Sequence, residues 1–211
     1  EKLWLVLAEA QEANKLYNKA LNSLSEAQKI NSNISEIYFA KSNVYLKISQ
    51  LNNAKTSLEK GLKIEPNNHK AIFQLGNILL IEKNYSEAIK LFDKSIKFKP
   101  DFWQAINNKG LAYFEKNNIN LSIKLFEKAI SIEDNAEPLL GLASCLRIKD
   151  INLALELAKK ALTKNPNYVD YDYRKEQLWG EKLQTSTEIL LQNDQLESEV
   201  ILAKSKINAS Y

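Results

Sequence analysis

Apolar residues recur along most of this chain at spacings of three and four. In residues 69–102, Ile72, Leu75, Gly76 and Leu79 share one helical face, and Ala88, Ile89, Phe92 and Ile96 share another. That spacing predicts two amphipathic helices, with Asn84 at the turn between them and Pro100 ending the second. The phrase then repeats. Pro66 and Pro100 lie 34 residues apart and close similar segments, Gly61–Pro66 and Ser95–Pro100. The same step reaches Asp134 forward and Ser32 backward, and a last step of 32 reaches Pro166. Five units follow: 1–34, 35–68, 69–102, 103–136 and 137–168. The fifth lacks two residues around its inter-helix turn. Small residues hold two phases: Ala8, Ser42, Gly76, Gly110 and Ser144 at one, Ala20, Ala54, Ala88, Ser122 and Ala154 at the other. These mark close approach of helices, which a large side chain would prevent.

After Pro166 the phase is lost. Tyr168, Tyr171 and Tyr173 precede a long helical pattern from Lys175 to Gln192, striped by Trp179, Leu183, Ser186 and Leu190. Asn193-Asp194 breaks and re-caps the chain, and Leu196, Val200, Ala203 and Ile207 form a second stripe. Two further helices are expected over 169–211. They cap the apolar end that a repeat array leaves open. A second role weighed for them is docking a partner or a second copy of the chain.

The 211 residues carry a formal charge of +3, so charge supplies no strong pull toward nucleic acid. Five Gly and four Pro are too few for a turn-rich β-sandwich or barrel. One Cys excludes an intrachain disulfide framework, and one His makes His-based metal or catalytic chemistry a poor expectation. No run of about 18 apolar residues exists to span a membrane. The sequence contains no Met, so Glu1 is read as other than a native start, leaving a removed signal or anchor compatible with the chain. The compartment is otherwise expected to be the cytoplasm. The Lys and Asn bias suits a bacterial, AT-rich genome.

No nucleotide, P-loop or nucleophile-elbow motif occurs. His69 falls at a helix start, and Cys145 is expected to be a small buried residue. No cofactor, no metal and no enzyme activity are expected.

These residues resemble the tetratricopeptide repeat, a 34-residue helix–turn–helix unit. Trp4, Leu7 and Ala8 match its opening in unit one; Tyr38, Ser42 and Tyr45 match in unit two. Leu75-Gly76 matches in unit three, and Gly110 with Tyr113 in unit four. The large residue of the second helix is Leu24, Leu58, Phe92, Phe126 and, weakly, Ala158. The resemblance implies an all-α, right-handed α-solenoid. It also implies a concave groove, lined by the first helices, that holds a peptide or helix of a protein partner. Carrying the family's groove positions onto this sequence gives Phe39, Asn43, Lys47, Lys70, Phe73, Asn77, Asn107, Asn108 and Phe114. Aromatic rings would anchor apolar side chains, and the amides would pair with a peptide backbone of any sequence.

The expected function is a non-enzymatic scaffold binding a protein or peptide partner. The closing phrase Arg174–Leu183 resembles tails of tetratricopeptide proteins from photosynthetic bacteria, which makes assembly-factor work one form of it. Two alternatives fit the sequence: the recognition module of a larger enzyme whose catalytic part is absent here, and a structural homodimer formed through the C-terminal helices. The clamp that grips acidic chaperone tails is not expected, because Phe73, Pro138 and Leu142 stand where it needs cations.

Overall fold

The structure is a computed structural model and describes residues 1–209; the last two residues of the segment 169–211 lie outside it. Ten helices form five consecutive pairs. The first helices are α1 (Lys2–Ala13), α3 (Ser35–Lys47), α5 (His69–Ile81), α7 (Trp103–Glu115) and α9 (Ala136–Leu146). The second helices are α2 (Tyr17–Ile30), α4 (Leu51–Ile64), α6 (Tyr85–Phe98), α8 (Ile119–Ile132) and α10 (Ile151–Lys164). Three further helices follow: α11 (Tyr171–Glu176), α12 (Glu181–Leu191) and α13 (Glu197–Asn208). No strand occurs among the described residues.

The turns between helices carry the repeat into the backbone. Lys15, Ser49, Lys83 and Asn117 all adopt left-handed φ values, of 59°, 58°, 58° and 62°. They lie 34 residues apart, each closing a first helix. A side chain in that region costs roughly 1–2 kcal/mol, so the turn geometry is imposed by the packing on either side. The fifth pair, two residues shorter, dispenses with this turn. Asp150 instead caps α10 directly, accepting from the Leu153 amide at 3.1 Å.

The pairs α1/α2, α3/α4, α7/α8 and α9/α10 pack against each other, and the small phase of the second helices is buried. Ala20, Ala54, Ala88, Ser122 and Ala154 are all completely buried, as are the large residues Leu24, Leu58, Phe92 and Phe126 four positions on. At position 126 the ring fills space left by two glycines. A Cβ on Gly110 would stand 3.0 Å from it and one on Gly141 2.8 Å. Both helices thus approach α8 closely because they lack a side chain there.

The chain divides into two compact units, Glu1–Ile78 and Leu79 onward. In the first, Ala8, Ala20, Leu24, Ala27, Ile37 and Val44 form a core cluster, and Ala54, Leu58, Ala71 and Ile78 form another. In the second, one continuous cluster runs from Leu111 through Phe126 and Leu140 to Trp179, Leu183 and Leu196. The C-terminal helices are therefore part of that unit's core.

The expected continuous helix over Lys175–Gln192 is interrupted. Leu178 takes φ 67°, and α12 begins only after Gly180. The break lets Trp179 turn inward, where it is 4% exposed, while the stripe Leu183, Ser186 and Leu190 remains buried as expected. The second stripe forms in α13, which packs on α10 and on the 3-10 turn Pro166–Val169.

Phe126→Ala is expected to destabilise the protein by about 3–5 kcal/mol, the cost of a large cavity in a well-packed site. Glu127→Ala, on the exposed side of the same helix, should stay within about 0.5 kcal/mol. Urea unfolding of the two variants tests the difference.

Candidate functional site

The first-helix face differs between the two units. In the N-terminal unit, α3 and α5 present the expected residues. Lys47 and Lys70 are exposed; Phe39, Asn43, Phe73 and Asn77 are half-buried. Asn43 accepts a hydrogen bond from Gln74 Nε2 at 2.8 Å, so these two amides are held together across neighbouring first helices. The Phe39 ring lies directly over Gly61 of α4, where any Cβ would collide with it. Its role in the fold is packing between α3 and α4, with one side left half-open.

In the C-terminal unit the equivalent face is covered. Helix α12 packs on α9 and α7. Asn107 is fully buried, Asn108 and Phe114 are each 7% exposed, and Leu142 and Cys145 are each 6% exposed. Asn107 Nδ2 donates to Asn108 Oδ1 at 3.1 Å. These residues of the expected groove lie in the unit's interior, and α12 packs on the two first helices that carry them or neighbour them.

A carboxyl group holds α12 there. The first amides of a helix have no acceptor within it. Gly180, the N-cap, has no side chain to provide one. Glu115, the last residue of α7 and 6% exposed, provides it instead. Its Oε1 accepts from the Leu183 amide at 3.0 Å and its Oε2 from the Lys182 amide at 3.4 Å. A Cβ on Gly180 would overlap the Glu115 side chain, so glycine is what permits the approach. The negative group also meets the positive end of the helix dipole. Lys182 Nζ returns to the Glu115 carbonyl oxygen at 2.7 Å and to Asn117 Oδ1 at 3.0 Å.

Further along, Ser186 Oγ donates to the Ser144 carbonyl at 2.9 Å, and the Thr187 and Ser144 hydroxyls pair at 2.7 Å. Arg147 Nε donates to Ser186 Oγ at 2.8 Å. Small hydroxyl residues face each other here, and each finds a partner.

Two buried ionisable groups brace the segment that leads into α12. Arg174 is completely buried. Its Nε donates to Gln184 Oε1 and one terminal nitrogen to the Tyr168 carbonyl, both at 2.7 Å, while the other pairs with Glu188. Burial lowers its pKa, and the charge of Glu188 opposes that shift. Glu137, in the first turn of α9, accepts from Trp179 Nε1 at 3.2 Å. Burial pushes its carboxyl up to about 7, against the opposing hydrogen bonds of Trp179, Asn107 and Tyr168. Neither group was singled out in the sequence. The sequence carries little signal for either: Arg174 lies in a charged run with Asp170, Asp172, Lys175 and Glu176, and Glu137 closely follows Glu133 and Asp134. Burial likewise pushes the Cys145 thiol up to about 12, which keeps it protonated and unreactive. No group of residues suited to hold a metal ion occurs among the described residues. No described helix is long and apolar enough to cross a membrane.

Models of the tetratricopeptide repeat match residues 35–68, 69–102 and 104–135. No curated protein matches the sequence. Among solved structures, MamA from Desulfovibrio magneticus RS-1 is similar at 22% identity and a TM-score of 0.70, over 77% of this chain and 93% of that one. YrrB, described as a tetratricopeptide protein with an unusual peptide-binding site, aligns at 18% identity and a TM-score of 0.65, over 82% and 90%. PilF of Pseudomonas aeruginosa aligns at 16% identity and a TM-score of 0.71, over all of this chain and 91% of its own. The chain is a tetratricopeptide-repeat protein with several repeat units and an all-α repeat-solenoid fold. Proteins of this family are interaction scaffolds that bind protein partners and are generally non-catalytic.

Two outcomes follow from the α12 contacts. Glu115→Ala strands the first amides of α12 and should cost about 1.5–3 kcal/mol, the range for hydrogen bonds to a charged group. Chemical denaturation reads this directly, and Gly180→Ala should move stability in the same direction. The second concerns pH. The folded carboxyl of Glu137 titrates near 7, against 4.5 for an unburied Glu. The folded state therefore binds the extra proton between those values, and stability from this group falls as pH rises through that window. Melting temperatures should show wild type losing ground to Glu137→Gln between pH 5 and pH 8, whereas a constant offset would contradict the assignment.

Proposed function

We propose that this protein is a non-catalytic scaffold that holds a helix or extended segment of a protein partner against the first-helix face of its N-terminal unit. Phe39, Asn43, Lys47, Lys70, Phe73 and Asn77 form the contact surface on α3 and α5. The same reading takes all five helix pairs as repeat units, 1–34 through 137–168, with the segment beyond as a cap that also fills a face.

One observation carries the proposal. In the C-terminal unit the corresponding first-helix face already holds a helix, α12, on α7 and α9. That contact has the character of helix-in-groove recognition: apolar anchors from Trp179, Leu183 and Leu190, and polar groups that satisfy the occupant's backbone. A surface built from the same repeat accepts a helix wherever its own chain does not cover it. Lys47 and Lys70 favour an occupant with acidic residues along its edge. Asn107, Asn108 and Phe114 would join such a surface only if α12 were displaced.

A photo-crosslinking residue placed at Lys47, Lys70 or Lys63 tests this, with captured proteins read by mass spectrometry. Lys63 lies on the exposed side of α4, a second helix. A partner captured from positions 47 and 70 but not 63, and bound about tenfold more weakly by Lys47→Glu/Lys70→Glu, is the expected result. Equal capture from position 63, or binding unaffected by the double substitution, would place the contact elsewhere.

A further inference from the structure

The C-terminal unit contains an open cavity of about 500 Å³ beside α12. Its walls come from three places: the α7–α8 turn, the end of α9 with the residues after it, and the first turns of α12. Phe114, Ile119 and Ile148 supply apolar surface; Arg147, Lys149 and Lys182 supply three cations, and no acidic residue lines it. We infer that this cavity is a binding site for an acidic peptide segment, one apolar side chain entering the pocket while flanking carboxylates meet the three cations.

The charges are committed to the fold only through neutral acceptors. Arg147 donates to Ser186 Oγ, Lys149 to Asn120 Oδ1 at 2.6 Å, and Lys182 to the Glu115 carbonyl and Asn117. Among the described residues none of the three forms an ion pair, although Lys83, Lys109, Lys159, Lys160 and Lys164 of the same unit all do. The Glu115 carboxyl is turned onto the amides of α12, and that of Asp150, next in the chain to Lys149, accepts from the Leu153 amide. The carbonyl end of α9 offsets only about half of one charge. A surplus of positive charge therefore borders an apolar hollow.

That combination selects its occupant. An apolar ligand alone would leave the cations without a counter-charge, and an anion alone would leave the hollow filled with water against Phe114, Ile119 and Ile148. Ile148 is 80% exposed, a large apolar side chain standing in solvent at the rim. A segment carrying both kinds of group buries this surface and forms charge-assisted hydrogen bonds together. The cations come from the turn after α9 and from α12, outside the first-helix positions of the repeat. The site is thus separate from the N-terminal surface on α3 and α5.

The test is a titration of the full chain with N-acetyl-Asp-Leu-Asp-amide, followed by amide resonances in nitrogen–proton correlation spectra. Shifts should centre on residues 144–149 and 182–186. Peptides with Asn for both Asp, or with Gly for Leu, should bind about tenfold more weakly. Lys149→Gln and Ile148→Ser remove exposed side chains, so both should keep the wild-type melting temperature while weakening binding at least about threefold. Equal binding of the Asn peptide would overturn the inference. Equal binding of the Gly peptide, or the same shifts with inorganic phosphate, would reduce the site to a plain anion patch and overturn it too. Shifts confined to α3 and α5, or none at about 10 mM peptide, a concentration that detects even millimolar affinity, would do the same.

Discussion

Every pair of helices in this protein depends on a close approach that only small residues allow. Ala20, Ala54, Ser122 and Ala154 sit at zero exposure on second helices that pack against their first, and Ala88 is equally buried on α6. With the side chain reduced to a methyl or hydroxymethyl group, the backbones come near enough for Leu24, Leu58, Phe92 and Phe126 to reach across the pair. The left-handed turns at 34-residue steps are the backbone's accommodation to that approach. Their strain is tolerable because the packing on either side repays it. A chain repeating this unit presents the same first-helix face again and again, and what covers that face decides what the protein can bind.

In the C-terminal unit the cover is intramolecular. Helix α12 carries Leu183 and Leu190 into the core beside Trp179, which precedes it, and its amino end is satisfied by Glu115 instead of by its own cap. Leu178 and Gly180 are the residues that make this geometry possible, one by turning the chain and the other by leaving room for a carboxyl group. Arg174 then ties the preceding turn to the far side of the same helix through Gln184 and Glu188. Several polar groups of the face are paired, Ser144 with Thr187 and Ser186, Glu137 with Trp179, while Asn107 Oδ1 is buried without a hydrogen-bond partner.

The repeat, its helices and the buried small positions were legible in the sequence because a recurring period samples each constraint several times over. The stripes of the last helices were legible for the same reason that any amphipathic helix is. The break at Leu178 was not, since a leucine carries no signal for a left-handed turn. The burial of Asn107, Asn108 and Phe114 was also hidden. Family positions place them on a groove, and the long-range packing that buries this face, α9 and α12 against α7, cannot be read from those positions. Phe39 is a milder case: its phase suits a groove, but Gly61 opposite it draws the ring into packing. Glu115 looked like one more solvated charge at a helix end.

The most direct measurement is residue-resolved hydrogen exchange at the amino end of α12. Amides in the first turn of an ordinary helix have no intrahelical acceptor and exchange rapidly. If Glu115 holds this helix on the first-helix face, the Leu183 amide exchanges as slowly as the Leu190 amide in the helix interior, and Glu115→Ala removes that protection. Rapid exchange at Leu183 in the wild-type chain, or protection unchanged by the substitution, would contradict an α12 anchored in the groove.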